Sequence, residues 1–172
     1  KAAITLGFGQ DALRRIPVDK QFRMRVDALR DAIGADRSTD RLPVAVVATV
    51  GTTSTTSVDP VAKIADVCHQ ESIWLHVDAA YAGTAAIVPE KASILQGCEQ
   101  ADSLVVNPHK WLFTPFDLSA FYCRRMDVVR ATFALTPDYL ATTETGVTNL
   151  MDTGVQLGRR FRALKLWAVL RY

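Results

Sequence analysis

Cysteine is scarce here. There are three in 172 residues, Cys68, Cys98 and Cys123. No Cys-x-x-Cys and no His-x-x-x-His pair exists, so a thiolate or imidazole metal site has no framework. The three cysteines are odd in number, far apart and set among apolar residues, which reads as reduced core or near-core thiols in a cytoplasmic protein. An excess of one charge is lacking too, because the formal net charge is only +2. The pairs Arg14-Arg15, Arg124-Arg125 and Arg159-Arg160 are isolated and read as solvated surface, so no nucleic-acid partner is expected. No apolar stretch reaches membrane-spanning length, and no membrane partner is expected. No Gly-x-Gly-x-x-Gly follows a strand, which disfavours a nucleotide-binding Rossmann domain. Repeats and low-complexity tracts are missing. The chain starts at Lys1 without methionine or a signal-peptide layout, and is expected to begin mid-protein.

What is present is ordinary for a globular domain: 49% apolar and 22% charged residues. The length suffices for one domain with a real core. Helix-like and strand-like segments alternate. Val26, Leu29, Ala32 and Ile33 have helical spacing and end near Gly34. The run from Pro43 to Val50 is largely β-branched, as in a strand buried on both faces. Asp59-Pro60 reads as an N-cap followed by proline at the first helical position, opening a helix with the stripe Val61, Ile64, Ala65 and Cys68. Residues 73–78 give the next buried strand, Pro89 to Gln96 a short helix, and residues 103–106 another strand. Leu118 to Cys123 is a further strand candidate, and Met126, Val129, Ala131 and Phe133 suggest a helix after it. Residues 136–153 are polar, with Pro137 and Gly146, and read as a long loop, of a length that marks either a functional lid or disorder. Leu157 to Tyr172 reads as a basic amphipathic helix. This order implies an α/β domain with a mainly parallel sheet flanked by helices.

In such sheets ligands sit at the carboxyl ends of the strands. Three chemically loaded segments fall there: Gly51-Thr52-Thr53-Ser54, Asp78-Ala79-Ala80-Tyr81 and Asn107-Pro108-His109-Lys110-Trp111. A lone lysine after a strand is ordinarily surface, and a lone aspartate is ordinarily a cap or turn residue. Together, at neighbouring strand ends, they are what a pyridoxal phosphate (PLP) enzyme needs. The lysine carries the aldehyde as a Schiff base and must react as its neutral amine. An aspartate ending an apolar strand needs a cationic partner, and a protonated pyridine nitrogen is a suitable one. The hydroxyl-rich turn Thr52 to Ser57 suits a phosphate or a ring oxygen, or is simply a turn of small polar residues. His76 reads as a satisfied core histidine or a partner of Asp78, and His69 as solvated.

The stretches Val18 to Met24, Gly51 to Thr55, Trp74 to Gly83, Asn107 to Trp111 and Leu157 to Trp167 resemble the group II PLP-dependent amino-acid decarboxylases, of the aromatic-L-amino-acid decarboxylase type. They occur in that family's order and cover nearly the whole chain. The resemblance implies a fold-type I PLP-dependent transferase-like large domain, present in part. It implies that Lys110 is the Schiff-base lysine and Asp78 the pyridinium partner. Thr53 and Asn107 match cofactor-contacting positions, and Ala80 matches a residue packed on the ring. His109 matches the histidine before the lysine, near the cofactor. Tyr139 matches a mobile-loop tyrosine that protonates the intermediate; the position is commonly phenylalanine in related aldehyde synthases, so tyrosine favours simple decarboxylation. Gly158 matches a position where a small residue leaves room for a bulkier ring, or it is a structural helix glycine.

The resemblance further implies decarboxylation of an aromatic L-amino acid, a small-molecule substrate, to its amine and CO2, with PLP as cofactor and a homodimer as the full-length form. Residues 1–135 correspond to part of the PLP-binding large domain, residues 136–153 to the mobile catalytic loop, and residues 154–172 to a helix leading toward a C-terminal domain. The family's ring-stacking histidine would lie upstream of Lys1, so the chain alone is expected to lack full activity. Two alternatives remain: an aromatic aldehyde synthase of the same family, and a non-catalytic α/β module binding a phosphorylated ligand.

Overall fold

The computed structural model describes residues 2–134 and 148–172. A short helix α1, Ala2–Thr5, precedes α2, Val26–Arg37. Strand β1, Ala45–Thr49, is followed by α3, Val61–Glu71, and then by β2, Trp74–Asp78. Short 3-10 turns between Gly83 and Gln100 lead to β3, Ser103–Val106, and directly to α4, Pro108–Trp111. Strand β4, Ala120–Cys123, helix α5, Met126–Phe133, a 3-10 turn, Leu150–Thr153, and helix α6, Ala163–Arg171, complete the described elements. Among the described residues the sheet has the order β1-β2-β3-β4; β1, β2 and β3 are parallel and β4 runs antiparallel to β3. The α/β class with a mainly parallel sheet is therefore as the sequence implied.

One face of the sheet makes the core. Val46, Ala48, Leu75 and Val77 point into it and pack against Leu29 and Ile33 of α2 and Val61, Ile64, Ala65, Val67 and Cys68 of α3. Alternation along a strand sends the intervening residues to the opposite face. That face is open, with Val47 and Phe121 each 53% exposed. This corrects the expectation that residues 43–50 are buried on both sides: β-branched content gave the strand, but no described layer covers its second face. A groove of about 1070 Å³ also runs along the amino end of β1, against Phe8, Ile16, Leu29 and Ile33.

Two helix starts differ from expectation. Helix α3 begins at Val61 with Pro60 in the cap position and no side-chain cap. The Asp59 carboxylate instead accepts the Met24 N–H at 2.6 Å and the Thr49 N–H at 2.8 Å. Both carboxylate oxygens are thereby engaged in charge-assisted bonds to two other segments. Helix α6 begins at Ala163, not Leu157. Gly158 disfavours helix by about 1 kcal/mol against alanine, and Arg159, Arg160 and Arg162 would oppose the dipole at a helix start.

Candidate functional site

Close approaches at small residues draw the carboxyl ends of the parallel strands together. Gly51 has φ +77°, and a Cβ on it would lie 2.1 Å from the Ala82 Cβ. Glycine there lets the turn after β1 seat against the turn after β2. A Cβ on Gly83 would meet the Ala79 Cβ at 2.7 Å and the Val106 Cγ1 at 3.0 Å, so the second turn also touches the end of β3. Tyr81 then meets Trp111 edge to face, with ring centroids 5.2 Å apart. Trp111 follows Lys110 on α4, so the turn after Asp78 packs directly on the lysine-bearing helix.

Asp78 ends β2, flanked by Thr49 of β1 and Val105 of β3. It is half-buried. Its Oδ1 accepts the Ala80 N–H at 3.0 Å, while Oδ2 has no hydrogen-bond partner among the described residues. Ala80 thus contributes a backbone donor that orients the carboxylate, besides its small side chain. Two residues earlier on the same face, His76 Nδ1 lies 2.8 Å from the Ser103 Oγ, and the Trp74 Nε1 donates to that same oxygen at 2.9 Å. With the indole donating, the serine hydroxyl is free to donate to His76 Nδ1. Burial pushes the His76 imidazole below its ordinary pKa, and the Asp78 charge pulls it partly back. His76 is therefore a satisfied histidine as well as an electrostatic neighbour of Asp78. His69 is exposed, as expected.

Lys110 and His109 lie in α4, which opens with Pro108 at its first position after Asn107. The Lys110 N–H donates to the Asn107 carbonyl at 2.9 Å, which closes the turn. The Lys110 side chain is exposed, His109 half-buried. Asn107 Oδ1 and Thr84 Oγ1 are buried without a hydrogen-bond partner among the described residues. Unpartnered buried oxygens are costly and mark places where a ligand can complete the bonding. The turn after β1 is organised by Thr52, not Thr53: the Thr52 Oγ1 lies 2.7 Å from the Thr55 Oγ1 and accepts the Ser57 N–H at 3.1 Å. Thr53 stands exposed at its tip.

An aldehyde-bearing pyridine phosphate suits this donor set: a lysine amine, a carboxylate oxygen left open, a threonine tip and an unpartnered amide oxygen, all on adjoining strand ends. Tyr139 lies outside the described residues. Gly158 lies before α6, and a Cβ on it would meet nothing within 4 Å, so helix packing does not explain that glycine. The cysteines are free, and burial pushes the Cys68 and Cys98 thiols up to about 11, which suits inert structural thiols. Among the described residues no cluster of His, Cys, Asp and Glu could hold a metal ion, and no helix is long and apolar enough to cross a membrane.

Sequence reasoning missed three polar contacts that hold the site. They are Asp59, the Asp102 Oδ2 that accepts the Leu75 N–H at 2.7 Å, and the bonds from α6 to the loop after Lys110. Aspartates beside proline or at the start of a strand carry a turn signal that hides such long-range roles.

The whole chain, residues 1–172, matches the family described as pyridoxal-dependent decarboxylase conserved domain. Aromatic-L-amino-acid decarboxylase of Sus scrofa is 46% identical over 162 residues, covering 92% of this chain and 33% of that protein. Histidine decarboxylase of Mus musculus is 42% identical over 160 residues, covering 92% of this chain and 24% of that protein. The solved structure of Oryza sativa TDC with PLP and tryptamine superposes with a TM-score of 0.94 at 41% identity, over 99% of this chain and 36% of that one. The chain thus spans about a third of the length of the aromatic-L-amino-acid decarboxylases it matches.

Proposed function

The chain belongs to the pyridoxal-dependent decarboxylases, and on that premise we propose that its strand ends hold pyridoxal phosphate and serve the decarboxylation of an aromatic L-amino acid to its amine and CO2. The observation that carries the reading is Asp78: a half-buried carboxylate with one oxygen fixed by Ala80 and the other open, on a turn packed against the lysine-bearing helix. The similarity to a protein named aromatic-L-amino-acid decarboxylase and to a TDC solved with tryptamine supports the substrate class.

When bound, the cofactor supplies an electron sink for the carbanion left as a carboxylate departs as CO2. Lys110 Nζ would hold the aldehyde carbon. The open Asp78 oxygen would hold the proton on the ring nitrogen, where a charge-assisted hydrogen bond is strongest. Ala80 leaves flat space beside that carboxylate. Asn107 and Thr53 would meet the ring oxygen and the phosphate, and His109 would orient groups around Lys110. Tyr139 is assigned as the proton donor to Cα. In this reading residues 1–135 belong to the cofactor-binding domain, residues 136–153 to a catalytic loop and residues 154–172 to the lead into a further domain. The working enzyme is a homodimer.

The test is turnover by a full-length enzyme carrying this segment, offered L-tryptophan, L-DOPA, L-tyrosine and L-histidine in turn. Amine and CO2 in equal amounts from an aromatic substrate are expected. Histamine alone would overturn the aromatic assignment. Aldehyde with hydrogen peroxide would replace amine formation by aldehyde synthesis, and no product from any of the four would overturn the enzyme reading.

A further inference from the structure

Helix α6 holds the loop after Lys110, and that loop holds His109. Lys165 of α6 donates from Nζ to the Pro115 carbonyl at 2.7 Å and to the Asp117 carbonyl at 2.6 Å. No other described residue donates to either carbonyl. Arg162, just before the helix, grips the Asp117 carboxylate at 2.9 and 3.3 Å. Phe113 and Phe116 are 90% and 86% exposed, so neither ring anchors the loop in the core. Thr114 is buried, but its hydroxyl has no partner among the described residues. Two cations from a distant part of the chain therefore supply the loop's polar anchors.

The same loop meets His109 from two directions. The Phe116 ring packs against the imidazole edge to face, with centroids 5.0 Å apart. The Leu118 backbone meets the His109 Nδ1, its carbonyl oxygen at 2.5 Å and its N–H at 3.1 Å. A protonated Nδ1 donates to the carbonyl, and a bare one accepts from the N–H. Leu118 ties the ring in either form. Helix α4 is only four residues long, so contacts beyond it set where that ring sits. We propose that Lys165 is a positioning residue: its ammonium staples the Pro115 and Asp117 carbonyls, and through Phe116 and Leu118 it keeps the His109 ring in place beside Lys110. A cation shared by two carbonyls makes stronger bonds than a neutral donor would. Without it only Arg162 remains to hold the loop, and His109 follows the loop. The consequence for cofactor capture at Lys110 rests on the decarboxylase reading, whereas the hold on His109 does not.

Deuterium exchange at the imidazole C2 position, read peptide by peptide in the mass spectrometer, reports how freely solvent reaches each histidine. The sample is a cofactor-free full-length enzyme carrying this segment. Wild-type His109 is expected to exchange more slowly than the free peptide Asn107-Pro108-His109-Lys110-Trp111. Lys165→Met is expected to speed His109 about tenfold toward the free peptide, the scale of losing hydrogen bonds to a charged donor, while His76 keeps its wild-type rate. Lys165→Arg, which keeps a cationic donor, is expected to restore slow exchange. A wild-type His109 as fast as the free peptide overturns the proposal, and needs no variant to fold. So does an unchanged His109 rate in a folded Lys165→Met enzyme, or a rise that His76 shares, which means general loosening. Borohydride trapping of pyridoxal phosphate on the same samples separates the two readings. If the His109 rates behave as described but wild-type Lys110 carries no adduct, the decarboxylase reading fails while the hold on His109 stands.

Discussion

Gly51→Ala is the sharpest perturbation of the way the site is assembled. The new Cβ would lie 2.1 Å from the Ala82 Cβ, 3.3 Å from its Cα and 3.4 Å from its nitrogen, on a residue with φ +77°. Two costs add. The left-handed backbone costs a side-chain-bearing residue about 1–2 kcal/mol, and the overlap about 1–3 kcal/mol, typical of overpacking. The sum is about 2–5 kcal/mol, or a fall in melting temperature of roughly 4–20 °C at about 2–4 °C per kcal/mol for a domain of this size. The adjoining substitution separates the terms. Ala82→Gly on the Gly51→Ala background removes the 2.1 Å clash, leaves the tight contacts to the Ala82 Cα and nitrogen, and leaves the φ cost untouched. The double variant should regain about 1–2 kcal/mol and no more. The assays are thermal unfolding and borohydride trapping of pyridoxal phosphate, because displacing residues 51–57 from the Asp78 turn should weaken cofactor capture along with stability. A Gly51→Ala chain with wild-type melting and wild-type trapping would refute the close approach of the strand ends.

Asp59→Ala should lower stability by about 2–5 kcal/mol in urea unfolding, because the Met24 and Thr49 N–H groups lose a charged acceptor. In a full-length enzyme carrying this segment, Asp78→Asn should still trap the cofactor but lose about a hundredfold or more in turnover, in line with removing one preorganised electrostatic contact. The thiols of Cys68 and Cys98, pushed from 9.0 to about 11, should alkylate at pH 8 about a hundredfold more slowly than an ordinary cysteine, since the thiolate fraction falls tenfold per pKa unit. Because the folded state holds those protons more tightly, stability should fall as the pH rises from 9 through about 11, seen as a dropping melting temperature. The isolated 172-residue chain should show no turnover of any aromatic amino acid, and measurable turnover would contradict that.

The strand ends are legible in the sequence because each carries residues that a turn does not need. Asp78 closes one apolar strand and Lys110 follows another, Ser103–Val106, so the pattern of residues alone places both, whereas the short helix α4 that carries Lys110 is not legible there. Open-face exposure is not legible. The composition of Ala45-Val46-Val47-Ala48-Thr49 is the same whether one face or two are covered, and that depends on chain packed from elsewhere. The start of α6 is obscured by an apolar pattern running back through Leu157 and Phe161, with the cost of Gly158 and the arginines deciding the outcome only in the folded chain. Asp59 and Asp117 are hidden for another reason. Their partners lie 35 and 45 residues away, and short-range patterns register a proline neighbour or a turn but not a distant N–H or guanidinium.

Borohydride reduction of the chain mixed with pyridoxal phosphate, followed by peptide mass spectrometry, tests most directly whether these strand ends hold the cofactor through Lys110. A phosphopyridoxyl adduct on the peptide containing Asn107-Pro108-His109-Lys110-Trp111, lost in Lys110→Ala and diminished in Gly51→Ala, is the predicted result. An adduct spread over exposed lysines such as Lys20, Lys63 and Lys91, with no preference for Lys110, would contradict it.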